Sequence, residues 1–338
     1  MPQTSLRLSI LDQSIVRQGG TAAEAIANTL ETVKLAEALG YTRFWVSEHH
    51  NSTMIAGSSP EILMARLGAI TNRIRIGSGG VMLPNHSALK VAEAFRLLET
   101  MFPGRVDLGI GRAPGGDRIT AALLNPSNSF SEEAYVTQLQ HLQAFLTDQA
   151  ETQYGPILAV PQIDSAPVQW MLGSSSGGSS LMAATLGMGL VIARFISGNA
   201  GPEIAQEYRS NFRPSAAFAK PEVMIAISVV CAATEEKAAQ LRKLADYSLL
   251  QFERGVFEPM GPYEAIAGYS FSTEEQLRIA SNSNRIVSGT PEQIKSQLES
   301  IAADYGAEEI ICTTMTYSQE DRLESFRLLA NVFDLERA

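Results

Sequence analysis

The sequence predicts an α/β protein, a (β/α)8 TIM barrel with insertions, and three observations carry that expectation. Short apolar runs alternate with amphipathic helical stretches eight times along the chain. The first strand leads into residues 12–20 without a glycine-rich phosphate fingerprint, which argues against a doubly wound open sheet, the main competitor. No linker or internal repeat divides the 338 residues, so 1–338 reads as one domain. Its excess over the roughly 250 residues of a plain barrel falls in two irregular stretches, about 112–130 and 255–288.

Each element has its own signal. Residues 6–11 form the first expected strand. Thr21 and Glu24 are placed for a capping box, Ile26, Leu30, Val33 and Ala36 recur at helical spacing, and Gly40 stands as the C-cap. Strand two covers 43–47, and Ser59-Pro60 opens the next helix with a cap residue and a proline at its first position. Strand three is expected over 73–77 and a helix over 90–101, through Val91, Ala94, Phe95 and Leu98. Strand four covers 105–111. Residues 112–130, with their Gly, Pro and Asn, read as a long surface loop, and 131–147 as a helix. Strand five (168–173), a helix ending near Leu186, strand six (190–195) and strand seven (222–231) follow. A long helix over 235–252 precedes the insertion 255–288, whose fold the pattern leaves open. Thr290, Pro291 and Gln293 start another helix, 309–314 is strand eight, and 319–333 the last helix.

Composition narrows the function. Hydrophobic residues make up 45% and charged residues 18%, as in a folded globular protein. The net charge of -10, from 26 basic against 36 acidic residues, argues against nucleic acid or an anionic membrane as the main partner. An anionic cofactor needs only a local positive site. Cys231 and Cys312 alone make no disulfide framework or cysteine-based zinc site. No signal-peptide pattern or apolar run near 18 residues is present, so a cytoplasmic location is expected. The acidic surface and amphipathic helices are compatible with a homodimer.

Four patches fall after strands, on the working face of a barrel. Glu48-His49-His50-Asn51 follows strand two. Neighbouring side chains of an extended segment point oppositely, so one histidine faces the mouth and the other faces packing. A metal site there would need His86 or distant carboxylates to complete its shell. Gly77-Ser78-Gly79-Gly80, then Met82 to His86, offers backbone to a flat ligand, or else marks a strand bulge. The run 109–117 contains Gly109, Gly111 and Arg112, whose guanidinium suits a phosphate, or is an ordinary surface arginine. The run 173–180, with Ser175, Gly177 and Ser179, is an anion cradle at a helix start, or a plain polar loop. Met54, Met82 and Leu83 are candidates for an apolar pocket, and the two irregular stretches for a lid.

These motifs carry a resemblance. LSILDQS near the start, GYTRFWVSEHHN, SGGVMLPNHSALKVAEAF, GRVDLGIGRAPGGD, LGSSSGGSS and VSGTPEQI stand in order across residues 6–333. As a set they are similar to the bacterial luciferase-like flavin-dependent monooxygenases, in the single-chain-type subgroup that resembles both luciferase subunits. The resemblance implies a barrel that binds FMN at its C-terminal mouth. It also implies reduced FMN supplied by a separate NAD(P)H-dependent flavin reductase, and oxygen that adds to the flavin and oxidises a small organic substrate. It implies His49 as the catalytic histidine, Arg112 as a phosphate ligand, and Ser175, Gly177 and Ser179 as the phosphate loop. Gly79 and Gly80 would be joined by a non-prolyl cis peptide against the flavin ring. The sequence departs from luciferase at Gly111, where luciferase has a reactive cysteine, and near Ser175, where its alpha subunit has a glutamate. Light emission is therefore not implied. An F420- or flavin-dependent reductase or dehydrogenase, and a non-enzymatic flavin-binding protein, are the alternatives.

Overall fold

A computed structural model describes residues 6–113, 115–153, 155–173 and 177–336. Its first half runs β1 (Arg7–Asp12), α1 (Ala22–Leu39), β2 (Arg43–Val46), α2 (Pro60–Ala69), β3 (Arg75–Met82), α3 (Ala88–Met101) and β4 (Val106–Gly111). Next come α4 (Arg118–Leu124), α5 (Glu132–Leu146) and a small hairpin, β5 (Glu151–Thr152) and β6 (Gly155–Pro156). Then β7 (Val168–Gly173), α6 (Gly177–Leu186), β8 (Gly189–Ala193), α7 (Glu203–Asn211), β9 (Val223–Cys231) and α8 (Glu235–Glu253) restore the alternation. The chain finishes with α9 (Thr273–Ser281), β10 (Ile286–Gly289), α10 (Pro291–Tyr305), β11 (Glu309–Thr313) and α11 (Gln319–Val332).

Eight strands pair in parallel in the order β1-β2-β3-β4-β7-β8-β9-β11, and β11 returns to β1. The sheet is thus the closed barrel the sequence predicts. Ser228 in β9 has register partners on both edges, Thr313 of β11 and Ile286 of β10. The ninth strand, β10, therefore occupies the edge of β9 that β8 has left.

Side-chain alternation splits the core in two. Leu8, Ile10, Phe44, Val46, Leu108, Ile110, Ile225 and Ile310 face outward and pack with the helices. Leu11, Trp45, Trp170, Val191, Met224 and Ile311 fill the barrel from within. Below them lies an ionic floor on the same inward face. Arg43 binds Asp107 at 2.8 Å and Glu309 at 2.7 Å, Arg75 binds Asp107 at 2.6 Å, and Trp45 Nε1 donates to Asp107 at 3.0 Å. Burial opposes ionisation of Asp107, yet Arg43 and Arg75 hold its carboxyl below its ordinary value. The floor lies at the start of β2, β3, β4 and β11; the loops that follow the strands form the opposite, C-terminal end.

Local signals read from the sequence recur at the helix ends. The Thr21/Glu24 capping box forms in both directions, and Gly40 closes α1 at φ 86°, where a Cβ would collide with the Glu336 carbonyl. Thr290 and Gln293 cap α10 in the same way. Other expectations need correction. β3 runs on through both glycines to Met82 rather than stopping at 77. The expected loop 112–130 contains α4, capped by Asp117, which accepts from the Ile119 and Thr120 amides. Seven residues long and set between Gly115-Gly116 and Pro126, it reads as loop; in the structure Ile119 and Leu123 stay exposed and only Ala121 is buried. The insertion 255–288 holds α9 and β10, and Glu253 closes it by accepting from Arg278, Asn282 and Arg285. Leu83 is fully buried in the outer core rather than lining a pocket. No described helix is long and apolar enough to cross a membrane.

Candidate active site

The end of β2 carries the two histidines, and alternation separates them. Trp45 faces the barrel interior, so Ser47 and His49 continue that inward face while Val46, Glu48 and His50 continue the other. The contacts agree. His49 Nδ1 lies 3.1 Å from Ser47 Oγ, and its Nε2 has no hydrogen-bond partner among the described residues. His50 Nε2 instead reaches the Glu48 carboxylate at 2.8 Å. Burial holds the His49 imidazole below its ordinary pKa, outweighing the pull of Glu48, so the neutral ring prevails near pH 7. A neutral imidazole with one open nitrogen can take a proton or give a hydrogen bond.

The backbone beneath is pinned from two sides. His49 N donates to Gly57 O at 2.9 Å and His50 N to Gly115 O at 2.8 Å. Gly115 at φ 65° and Gly116 come so close to the carbonyls of Glu48 and His50 that side chains there would press on them, at 3.0 and 2.9 Å.

Glu48 opens the first patch read from the sequence, but the sequence assigns it no contact there. Its buried Oε1 accepts from His50 Nε2 (2.8 Å), His86 Nε2 (2.9 Å) and Asn85 Nδ2 (3.2 Å), and its Oε2 from Met82 N (2.8 Å). The only cue was a carboxylate and an imidazole two residues apart on one face of a strand end. His50 and His86 turn their Nε2 atoms onto one carboxylate oxygen instead of around an empty centre, and no metal-ligand cluster occurs among the described residues.

Gly79 and Gly80 are joined by a cis peptide, and the β3–β4 register slips by one residue there. The need for glycine comes from the barrel itself. A Cβ on Gly79 would lie 2.6 Å from Leu11, and one on Gly80 would lie 2.8 Å from the Gly109 carbonyl. Any ligand contact here uses the peptide, not room left by missing side chains. A Gly80→Val change would strike β4 directly and damage the fold as well as any ligand site.

Arg112 leaves the end of β4 with its side chain half exposed, and its nearest carboxylate, Glu132, is 3.8 Å away. β4 and β7 are neighbours with Ile110 opposite Met171, so two residues further Arg112 stands level with Gly173. Beyond Gly173 the chain enters α6, whose first turn has Gly177 and Ser179 and no acidic residue. A Cβ on Gly173 would lie 3.1 Å from that of Ser179, so the glycine lets the helix start close over the strand. Ser175 lies outside the described residues.

The model of luciferase-like monooxygenases matches residues 6–309. The chain belongs to the luciferase-like monooxygenase family. Among relatives, YwcH of Bacillus subtilis is 46% identical, covering 96% of this chain and 98% of its own. The N-acetyl-S-alkylcysteine monooxygenase of Bacillus subtilis is 34% identical over 96% and 98%. The crystal structure of apo-MsnO8 superposes with a TM-score of 0.91 at 35% identity, covering 99% of each chain. Two more distant folds differ in cofactor. The oxygenating constituent of 3,6-diketocamphane monooxygenase was solved with FMN (TM-score 0.72, 16% identity, 96% and 97% covered). An F420-dependent secondary alcohol dehydrogenase was solved with an F420 adduct (0.69, 13%, 97% and 99%).

As a luciferase-like monooxygenase the chain is an oxidoreductase, in a family whose fold serves flavin- and F420-dependent enzymes. The donor set at this mouth suits a phosphate-bearing cofactor. It combines a half-exposed guanidinium, the first amides of α6 and a serine hydroxyl, with no carboxylate in that first turn.

Proposed function

We propose that this luciferase-like monooxygenase is FMN-dependent and uses reduced flavin and oxygen to oxidise a small organic substrate. The observation that carries the proposal is His49, a neutral imidazole on the inward face of β2 with its Nε2 open, on the same barrel end as Arg112. Reduced FMN, when bound, supplies the oxygen activation; the chain's part is to bind, orient and move protons. Arg112 takes the phosphate by charge-assisted hydrogen bonds, with Ser179, Ser175 and the amides after Gly177 completing the cradle. The Gly79–Gly80 peptide offers a flat backbone surface to the ring. His49, held through Nδ1 by Ser47, presents Nε2 as hydrogen-bond donor or proton acceptor to the reacting group.

A separate reductase using NAD(P)H delivers the reduced flavin, and the enzyme acts in the cytoplasm, away from membranes. We further propose a homodimer, supported by Ile62 on α2 and Leu97 and Met101 on α3, large apolar side chains left exposed on neighbouring helices. Light scattering of the purified chain checks that state.

An F420- or flavin-dependent reductase would use the same mouth, so cofactor titration decides. The purified protein is titrated with FMN and with F420 by fluorescence, then loaded with reduced FMN without oxygen and mixed with oxygen, while flavin reoxidation is followed by stopped-flow absorbance and hydrogen peroxide release is assayed. Tighter binding of FMN, with reoxidation kinetics and peroxide release that differ from those of free reduced flavin, is expected. Preference for F420, or the behaviour of free reduced flavin, would overturn the proposal.

A further inference from the structure

The Glu48 carboxylate joins two strand ends. His50 approaches it from the continuation of β2, while Met82, Asn85 and His86 approach from the end of β3 and the turn before α3. That turn is itself gripped from beyond. Asn125 and Asn128 donate to Pro84 O at 3.0 and 2.7 Å, and Gln138 donates to His86 O at 3.1 Å. Glu48 thus sits where three loops of the mouth meet. Its outward neighbour in the alternation is His50 and the residue between them is His49. Fixing both flanking side chains outward leaves His49 directed inward.

We propose that Glu48 is a positioning residue: paired with His50 and His86, its carboxylate ties the β2 and β3 ends together and aims His49 into the barrel mouth. This deepens the assignment of His49 made above and rests on it. An ionised carboxylate only accepts, so both imidazoles must carry hydrogen on Nε2, and any second proton sits on Nδ1. No arginine or lysine pairs with Glu48 among the described residues, so imidazolium is its only counter-charge. The other charged or titratable groups facing the cluster are His49 beside it, Glu61 of α2 acting on His86, and Asp117, which Asn51 holds at 2.8 Å. Burial works against a charged His86, but the hydrogen bond and charge of Glu48 raise its pKa overall. Burial likewise works against a charged Glu48, and His86, His50 and the Met82 amide lower its pKa overall. With one imidazolium the cluster is neutral. With none it is a buried unpaired carboxylate, and the tie weakens as pH rises through the raised His86 value.

The test is a pH titration of histidine ring carbons by NMR in the full chain, which has four histidines to resolve: His49, His50, His86 and His141. Wild type is compared with Glu48→Gln, Glu48→Asp and His86→Gln. In Glu48→Gln the His86 titration should move to lower pH, and the His49 signal should shift and titrate lower still, since the charge that favoured its protonated form is gone. Glu48→Asp should restore part of the His86 shift. The reaction of bound reduced FMN with oxygen, followed by stopped-flow absorbance at matched occupancy, should slow about 10–100-fold in Glu48→Gln, as expected for a misaimed group, while FMN affinity changes less than about threefold. If Glu48→Gln does not fold, Glu48→Asp and His86→Gln carry the comparison. Unmoved His49 and His86 titrations in folded variants would overturn the proposal, whatever the activity. Titrations that move as described, in a wild type that leaves the reoxidation of reduced FMN as it is in free solution, would uphold the positioning role and reject the flavin assignment instead.

Discussion

The floor carboxylates and Glu48 at the mouth are both buried, and they are neutralised differently. At the floor, Asp107 and Glu309 meet Arg43 and Arg75, cations that do not titrate in any physiological range. At the mouth, Glu48 meets only imidazoles and amides. At the floor, against the effect of burial, Arg43 and Arg75 hold the Asp107 carboxyl below its ordinary value. The mouth holds groups that change protonation near neutrality, and it is the end where strands stop and loops bring in His49 and Arg112. Arginine also serves at the mouth end, where Arg322 pairs with the buried Asp12 at the close of β1, so it is the Glu48 cluster rather than the whole face that relies on proton-exchanging partners.

Four changes test this division. His49→Ala should give the largest effect, slowing the reaction of bound reduced FMN with oxygen by about 10²–10⁴-fold. Stopped-flow absorbance at matched FMN occupancy measures it, and the unfolding midpoint in urea should hardly move. The same kinetic defect in His50→Ala, with His49→Ala normal, would reverse the facing assigned to β2. At the floor, Asp107→Ala should do the opposite. Removing one partner leaves Arg43 and Arg75 facing each other, at a cost of about 3–5 kcal/mol, read by urea denaturation. FMN affinity of the protein that remains folded should be unchanged. A mild loss, within the scatter of surface substitutions, would mean that water or a rearranged side chain compensates the arginines.

Arg112→Ala comes next. Loss of a charge-assisted contact is worth about 1.5–3 kcal/mol, or about 10–150-fold in affinity. The loss should fall on FMN and spare riboflavin, which lacks the phosphate. Equal weakening of both in parallel fluorescence titrations would remove Arg112 from the phosphate site.

The smallest effect is the pH dependence of stability. His86 has a raised pKa in the folded state, so its contribution is complete below the unfolded value and is lost as pH rises through the folded one. Glu48, with a lowered pKa, contributes above its unfolded value and loses that contribution as pH falls through the folded one. Between those two limits the mouth cluster is most stable. Urea unfolding of wild type and His86→Asn between pH 5 and 9 should converge toward the alkaline end. Asp107 shares the lowered direction of Glu48, and its arginine partners add no step in that interval. Curves that stay parallel would show that His86 does not carry the counter-charge.

Much of this was legible along the chain because it depends on neighbours in sequence. Period and capping placed α1 and α10, since Thr21 with Glu24 and Thr290 with Gln293 act within one turn. Alternation placed His49 and His50 on opposite faces before any coordinate was known, since it needs only an extended backbone. Apolar runs located the barrel strands to within a few residues, except for the glycine-rich end of β3, because strands buried on both faces leave little room for polar side chains. The ordered motifs pointed to the family from residue 6 onward.

What folding alone decided lies in contacts between distant segments. Arg43, Asp107 and Glu309 become one floor only when β2, β4 and β11 close around it, so no local pattern announces it. Glu48 and His86 are 38 positions apart and meet because β2 and β3 are neighbours in the sheet. The glycine at position 80 reads in sequence as space for a ligand, but it is required by the Gly109 carbonyl on the next strand. Helix α4, with hardly any buried face, forms because Asp117 caps it and Asn51 holds that cap from across the mouth. Sequence encodes period, turn and facing through short-range sterics, whereas partner and proton state follow from which strands the closed barrel sets side by side.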